Sequence, residues 1–181
     1  MEHVDTEAVA ASRIWDALSA GLRHDAPRWL ELAVELRDSN ERQWQEEDRS
    51  RHELANDELA AIKRRIDTLN GGRVEAIHAI DLALLPQFEI DTSAPPLVET
   101  LGQTIDRMTI AWIREERSRS IAWPSGGAAP PLLAEVRHAC DALRRAFDAN
   151  VEDLVTGRRS VVPTRTVKLY RPAGTAPGEE T

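Results

Sequence analysis

Residues 30–51 read "LELAVELRDSNERQWQEEDRSR", and their reading decides the fold. Leu30, Ala33, Leu36 or Arg37, Asn40, Trp44, Glu47 or Asp48, and Arg51 follow one another at intervals of three or four. That is the period of one face of an α-helix. The first half of the stripe is apolar. After Leu36 it turns charged and amide without losing its spacing. A solvated helix surface would set its charges to one side of Leu30 and Ala33, not in line with them. Three readings of the polar half follow. It can be an ion-pair network that sets helix register, a polar pocket inside a bundle, or a plain exposed face carrying pairs such as Glu47 with Arg51.

Working outward, nearly every periodic segment keeps the helical period. Asp5 or Thr6 can cap a first helix with Val9, Ile14, Leu18 and Leu22 on its apolar side. Asp25 with Pro27 can open the second, since proline is tolerated in a first turn. Asn56 or Asp57 can cap a third. Its stripe is Leu59, Ile62, Ile66, Leu69, Ile77, Ile80 and Leu84, and Pro86 stops it. Within it "LNGGR" places two glycines that cost about 2 kcal/mol against alanine; a kink or a close helix crossing would account for them. "QFEIDTSAPP" reads as an extended linker. A fourth helix is expected from about Leu97 to Ser118, with Leu101, Ile105, Met108 and Trp112 inward. "WPSGGAAPP" reads as a loop. A fifth helix carries Leu132 or Leu133, Val136, Cys140, Leu143, Phe147, Val151 and Leu154. There is no internal repeat. The expectation is an all-α fold: an antiparallel bundle of about five helices over residues 1–157, then an extended tail over 158–181 with a disordered end.

A chain of 181 residues is long enough for one domain with a full core. No apolar run reaches the length of a membrane span. The N-terminus starts acidic, unlike a signal peptide, which starts basic, so a cytoplasmic protein is expected. A net charge of −8 speaks against a nucleic-acid module, because phosphate neutralisation needs a basic surface. Arginine supplies nearly all of the basic residues, a bias of GC-rich coding that suggests a bacterium. The one cysteine, Cys140, excludes an internal disulfide and reads as a buried thiol.

If helices two and three form a hairpin turning near residues 52–57, positions equidistant from the turn face each other. Asp48 then lies near Ile62 and Lys63, Trp44 near Ile66 and Asp67, and Asn40 near Asn70. Lys63, Asp67 and Asn70 share a face by helical spacing, and Arg73 continues it. On helix four, Asp106 and Arg107 interrupt the apolar run "TIDRMTIAWI". Three helices thus each place acids and bases beside apolar stripes.

The same residues carry a resemblance. "WQEEDRSR", "DELAAIKRRIDTLNGGRVEAIHAID", "ETLGQTIDRMTIAWI" and the late "VKLY" resemble the helical bacterial family known as domain of unknown function 4254, over about residues 36–115. The matching positions are Trp44, Glu47, Asp48, Arg51, Lys63, Arg64, Asp67, Asn70, Arg73, Asp106 and Arg107. The sequence departs from the family at Gln45, where a histidine is usual, and over Gly71–Glu75, where Gln-x-Arg-Asn-Asp is common. An amide does not titrate, so Gln45 cannot shuttle a proton as histidine does. The resemblance implies an all-α fold and a bacterial setting beside sugar-transfer or envelope genes. It implies no established reaction.

Two functions from different classes are compatible with these residues. In the first the chain is an enzyme of a biosynthetic pathway. Arg51, Lys63, Arg73 and Arg107, with Asn70 and Asp106, would hold a small anionic metabolite or an activated sugar, because guanidinium forks suit carboxylate and phosphate. Asp48 and Asp67 would be the catalytic acid and base, with burial tuning them, and Trp44 would form an apolar wall. In the second, the chain is a non-catalytic helical partner of a glycosyltransferase or another biosynthetic enzyme, docking through an apolar patch and the "TVKLYR" tail; self-association into a homo-oligomer stays open. Two Glu-x-x-His pairs, Glu75 with His78 and Glu135 with His138, imitate the pairs of di-metal bundles, but such spacing arises readily by chance. Neither a metal nor another cofactor is expected. His138 and Cys140, two residues apart, fall on different helix faces.

Overall fold

The computed structural model describes residues 6–120 and 131–162. A 3-10 turn, Thr6–Val9, leads into α1 (Ala11–Ala20), α2 (Arg28–Arg49) and α3 (Asn56–Leu84). A second such turn, Leu85–Gln87, and an extended stretch connect to α4 (Leu101–Ser120), and α5 (Pro131–Val155) follows. Among the described residues there is no β-strand, only an isolated bridge between Pro96 and Ser160. The five-helix, all-α architecture expected from the periodicity is the one observed. No described helix is long and apolar enough to cross a membrane.

The stripes become the core. Ile14, Leu18, Leu30, Ala33, Leu36, Ile80, Leu84, Leu101, Ile105, Met108, Phe147, Val151 and Leu154 form one buried cluster. Each was placed inward by its spacing. Leu22 was too, but α1 ends at Ala20 and Gly21 takes a left-handed φ of 88°, which carries Leu22 off the helix face and leaves it 42% exposed. Leu133, not Leu132, points into the core at the start of α5.

Helix starts deviate from the capping expected. Pro27 occupies the cap position of α2 itself. Ala55 caps α3, where the Glu58 carboxylate accepts its N–H at 3.4 Å. The fourth helix starts at Leu101, not Leu97, because Thr100 and Gln103 form a reciprocal capping box. Thr100 Oγ1 accepts the Gln103 N–H at 3.2 Å and Gln103 Oε1 accepts the Thr100 N–H at 2.8 Å. The signal "TLGQ" for this start lies in the sequence at Thr100–Gln103.

The two glycines of α3 do not mark a close crossing. The helix runs unbroken through them, and a Cβ at Gly71 or Gly72 would meet nothing within 4 Å. The close approach is at Gly102. A Cβ there would sit 2.5 Å from the Ile77 carbonyl oxygen and 2.8 Å from Asp81 Oδ1. Asp81, buried on α3, accepts the Gly102 N–H at 2.7 Å. It places a carboxylate on the unsatisfied N–H groups that open α4. Burial raises the Asp81 pKa above the usual carboxylate value, and the hydrogen bonds from Thr100 and Gly102 partly oppose this.

Directions follow from the polar contacts. Arg65 on α3 donates to Glu46 on α2 at 3.0 Å, which is the antiparallel register expected for the hairpin. Asn40 meets Asp106 and Thr109, while Asp48 meets Arg117, so α2 and α4 run the same way. Cys140 meets the Ala111 carbonyl and Arg137 meets Glu115, so α5 returns antiparallel to α4. After α5 the chain stays attached: Ser160 donates its N–H to Pro95 O at 3.0 Å and accepts the Leu97 N–H at 2.8 Å. Val161 is buried. The start of the expected tail is therefore bound to the 94–97 linker. The end of the tail, "TVKLYR", "WPSGGAAPP" up to Pro130, and the cap at Asp5 lie outside the described residues.

Candidate functional site

The polar half of the opening stripe is built into the bundle. Asn40 is 5% exposed. Its Nδ2 donates to Asp106 Oδ1 at 3.0 Å and to Thr109 Oγ1 at 2.8 Å. Thr109 Oγ1 in turn donates to the Asp106 carbonyl at 2.8 Å. Arg73 of α3 reaches the same carboxylate with both prongs: Nε to Oδ1 at 2.7 Å and Nη2 to Oδ2 at 2.5 Å. Three helices thus meet at one carboxylate, which accepts a bidentate charge-assisted pair and an amide. A carboxylate with only 7% of its side chain exposed survives in a core only with partners of this kind.

Beside the network lies a cavity of about 160 Å³ lined by Asn40, Gln43, Trp44, Glu47, Arg73, Ile110 and Arg114. Trp44 forms its apolar wall. The guanidinium groups of Arg117 and Arg114 lie 5.3 Å and 6.0 Å from the centre of its ring, within range of a cation–π attraction. Gln43 donates to Glu47 at 2.9 Å. Asp48 sits beside this wall and accepts from Arg117 at 3.2 Å, with Arg51 at 3.9 Å. Among the described residues, two buried polar atoms here have no partner: Asn40 Oδ1 and Arg117 Nε.

The structure brings together Trp44, Arg73 and Asp106 from the residues expected at the site; Asp48 lies outside the cavity lining, partly exposed and paired with Arg117. Nor does the structure bring in the others. Lys63 and Asp67 are exposed on α3, so Asp67 is not part of a buried cluster and lacks the burial that suggested its acid–base role. On α3 their shared face turns aside from the side that carries Ile62, Ile66 and Arg73. Asn70 is half-buried and does not line the cavity. Arg51 is largely exposed. Arg107, next to Asp106, turns outward and pairs with Glu99 at 2.8 Å. Thr109, Gln43, Arg114 and Arg117 were missed as members; Asn40 and Glu47 stood in the polar stripe without an assigned role. A signal existed on α4: Asp106, Ile110, Arg114 and Arg117 repeat at four, four and three.

Other chemistry-bearing groups are closed off. Glu115 is buried between Arg119 and Arg137. The buried Cys140 thiol is pushed up to about 12 by desolvation and by neighbouring Glu115, so it is not a nucleophile at neutral pH. Among the described residues, no three His, Cys, Asp or Glu side chains converge as a metal site would require. Gln45 does not reach the cavity. It lines an outer groove between α2 and α3, with Arg42, Glu46, Arg64 and Arg65.

No curated protein and no solved structure gives a significant match to this chain. The family model described as protein of unknown function (DUF4254) matches residues 30–126, more than half of the chain. The matched span contains all of α3 and α4, nearly all of α2, and every residue of the three-helix polar site. The chain belongs to that family.

Proposed function

We propose that the chain is a bacterial, cytoplasmic biosynthetic enzyme that binds a small anionic metabolite or the anionic end of an activated sugar between α2, α3 and α4. One observation carries this reading: a cavity between three helices is lined by two guanidinium groups, a carboxylate, two amides and a tryptophan. Arg73 and Arg114 supply positive charge for the ligand, Trp44 supplies a flat apolar wall, and Glu47 and Asp48 supply proton-transfer groups. Arg73 is pre-positioned by Asp106, which in turn is held by Asn40, so the cation does not reorganise when an anion arrives. The test is incubation with panels of carboxylates, phosphates and activated sugars, with product read by mass spectrometry. Asp48→Asn keeps the size and removes the titrating group. The reading requires it to abolish turnover with the fold intact.

A second reading has its own support. The buried carboxylates Asp106 and Glu115 are already paired with arginines, as a register-setting network requires. Leu82, Val98, Leu132 and Val162 are exposed. A helical partner of a glycosyltransferase or other biosynthetic enzyme, or a homo-oligomer, would use them. In that case Asp48→Asn leaves complex formation and the partner's activity unchanged, while charge substitution at Leu82 or Leu132 abolishes both.

A further inference from the structure

A second concavity lies on the outer side of the α2–α3 hairpin, apart from the cavity beside Trp44. Its lining carries Arg42 and Glu46 from α2 and Arg64 and Arg65 from α3. That excess of cations reverses the balance of the whole chain, whose formal net charge is −8. The one anion is already committed. Glu46 has only 17% of its side chain exposed and lies 3.0 Å from Arg65 and 3.4 Å from Arg49. It holds Arg65 in the groove, and its own charge is balanced there. Arg42 and Arg64 differ: neither forms an ion pair or a side-chain hydrogen bond with a described residue. The register that sets Glu46 against Arg65 brings Arg42 opposite Leu69. Arg42 and Arg65 thus stand about one helical turn apart along the groove, roughly 6 Å, with Arg64 next to Arg65. Cations gathered in one cleft focus the field on an entering anion.

The number of guanidinium forks selects the anion. A carboxylate has two oxygens, and one bidentate arginine fills them. A phosphate monoester offers three, enough for arginines from both helices. Beside the cations the groove is floored by Ala61 and Leu69, with the Gln45 amide on its wall. That surface suits a short organic body with hydroxyls, because an amide both donates and accepts. We propose that the α2–α3 groove is a phosphate site that takes a phosphomonoester. Arg42 and Arg64 hold the phosphoryl oxygens, Arg65 joins them from the position that Glu46 sets, and the body of the ester lies over Leu69 and Gln45. This site is independent of the function given to the Trp44 cavity.

Calorimetric titration of the full chain at low ionic strength tests this, with glycerol phosphate against glycerate. The phosphomonoester should bind at least about tenfold tighter than the carboxylate. Arg42→Gln and Arg64→Gln, both at exposed helix positions, should each weaken it by about tenfold with helical dichroism unchanged. Arg145→Gln removes the same charge from an exposed position on α5 and should leave the affinity within about twofold. Equal affinity for glycerate, no binding of glycerol phosphate, or an equal loss in Arg145→Gln overturns the proposal. Binding lost in Arg114→Gln and unchanged in Arg42→Gln also overturns it, because the ligand then sits in the Trp44 cavity, and leaves the reading of that cavity standing.

Discussion

Arg73→Ala tests the three-helix junction most directly. Arg73 is the only cation on Asp106 among the described residues, and its side chain is 26% exposed against 7% for the carboxylate. Two unit charges about 4 Å apart interact by about 4 kcal/mol at an effective dielectric of about 20. Removing one partner of a buried pair costs about 3–5 kcal/mol, because the other charge is stranded. Arg73 is partly solvated, and the Asn40 amide still donates to Asp106, so the low end applies: a loss of about 3 kcal/mol. Urea denaturation at neutral pH would read it as a lower midpoint with an unchanged slope. The double variant Arg73→Met with Asp106→Leu removes both charges and should be more stable than Arg73→Ala. A loss below about 1 kcal/mol in Arg73→Ala, or a double variant no more stable than Arg73→Ala, would refute the buried-pair account.

Four further outcomes are expected. Asp67→Ala should change stability by no more than about 0.5 kcal/mol, as exposed substitutions do; a large loss in the same urea assay would restore Asp67 to the core network. Gly71→Ala and Gly72→Ala should each stabilise by about 0.5–1 kcal/mol, since both sit in open helix, and a fall in melting temperature would reveal a contact at these positions. Asp81 has a raised pKa, so its contribution is full below the ordinary carboxylate range and is lost as pH rises through the raised value. Asp81→Asn, which keeps an acceptor for the Gly102 N–H, should therefore gain on the parent as the pH rises above the ordinary carboxylate range; parallel stability curves would contradict this. Cys140 should resist alkylation in the native protein at neutral pH and react once unfolded, and rapid native labelling would show that the α4–α5 contact opens.

Helix number, direction and inward faces were legible in the sequence because they depend on local periodicity. Leu30, Ala33 and Leu36, or Ile105 and Met108, must lie on one side of any helix that contains them, and short connections force neighbours to pack. The hairpin register was legible as well, since counting from the turn brings Glu46 opposite Arg65. The site was legible only in outline. Spacing put Asn40, Trp44, Arg73 and Asp106 near apolar stripes, but Lys63 and Asp67 have equally good spacing on α3 and end in solvent. The difference is a rotation of α3 of a fraction of a turn, set by Ile62 and Ile80 entering the core. Likewise two adjacent glycines suggested a crossing at Gly71, while the real one at Gly102 depends on where Ile77 and Asp81 meet the start of α4. Sequence alone determined which residues a helix carries to each face. Tertiary packing decided how far each face turns toward its neighbours, and at a junction of three helices that angle separates Asp106, held by Arg73 and Asn40, from the exposed Arg107 beside it.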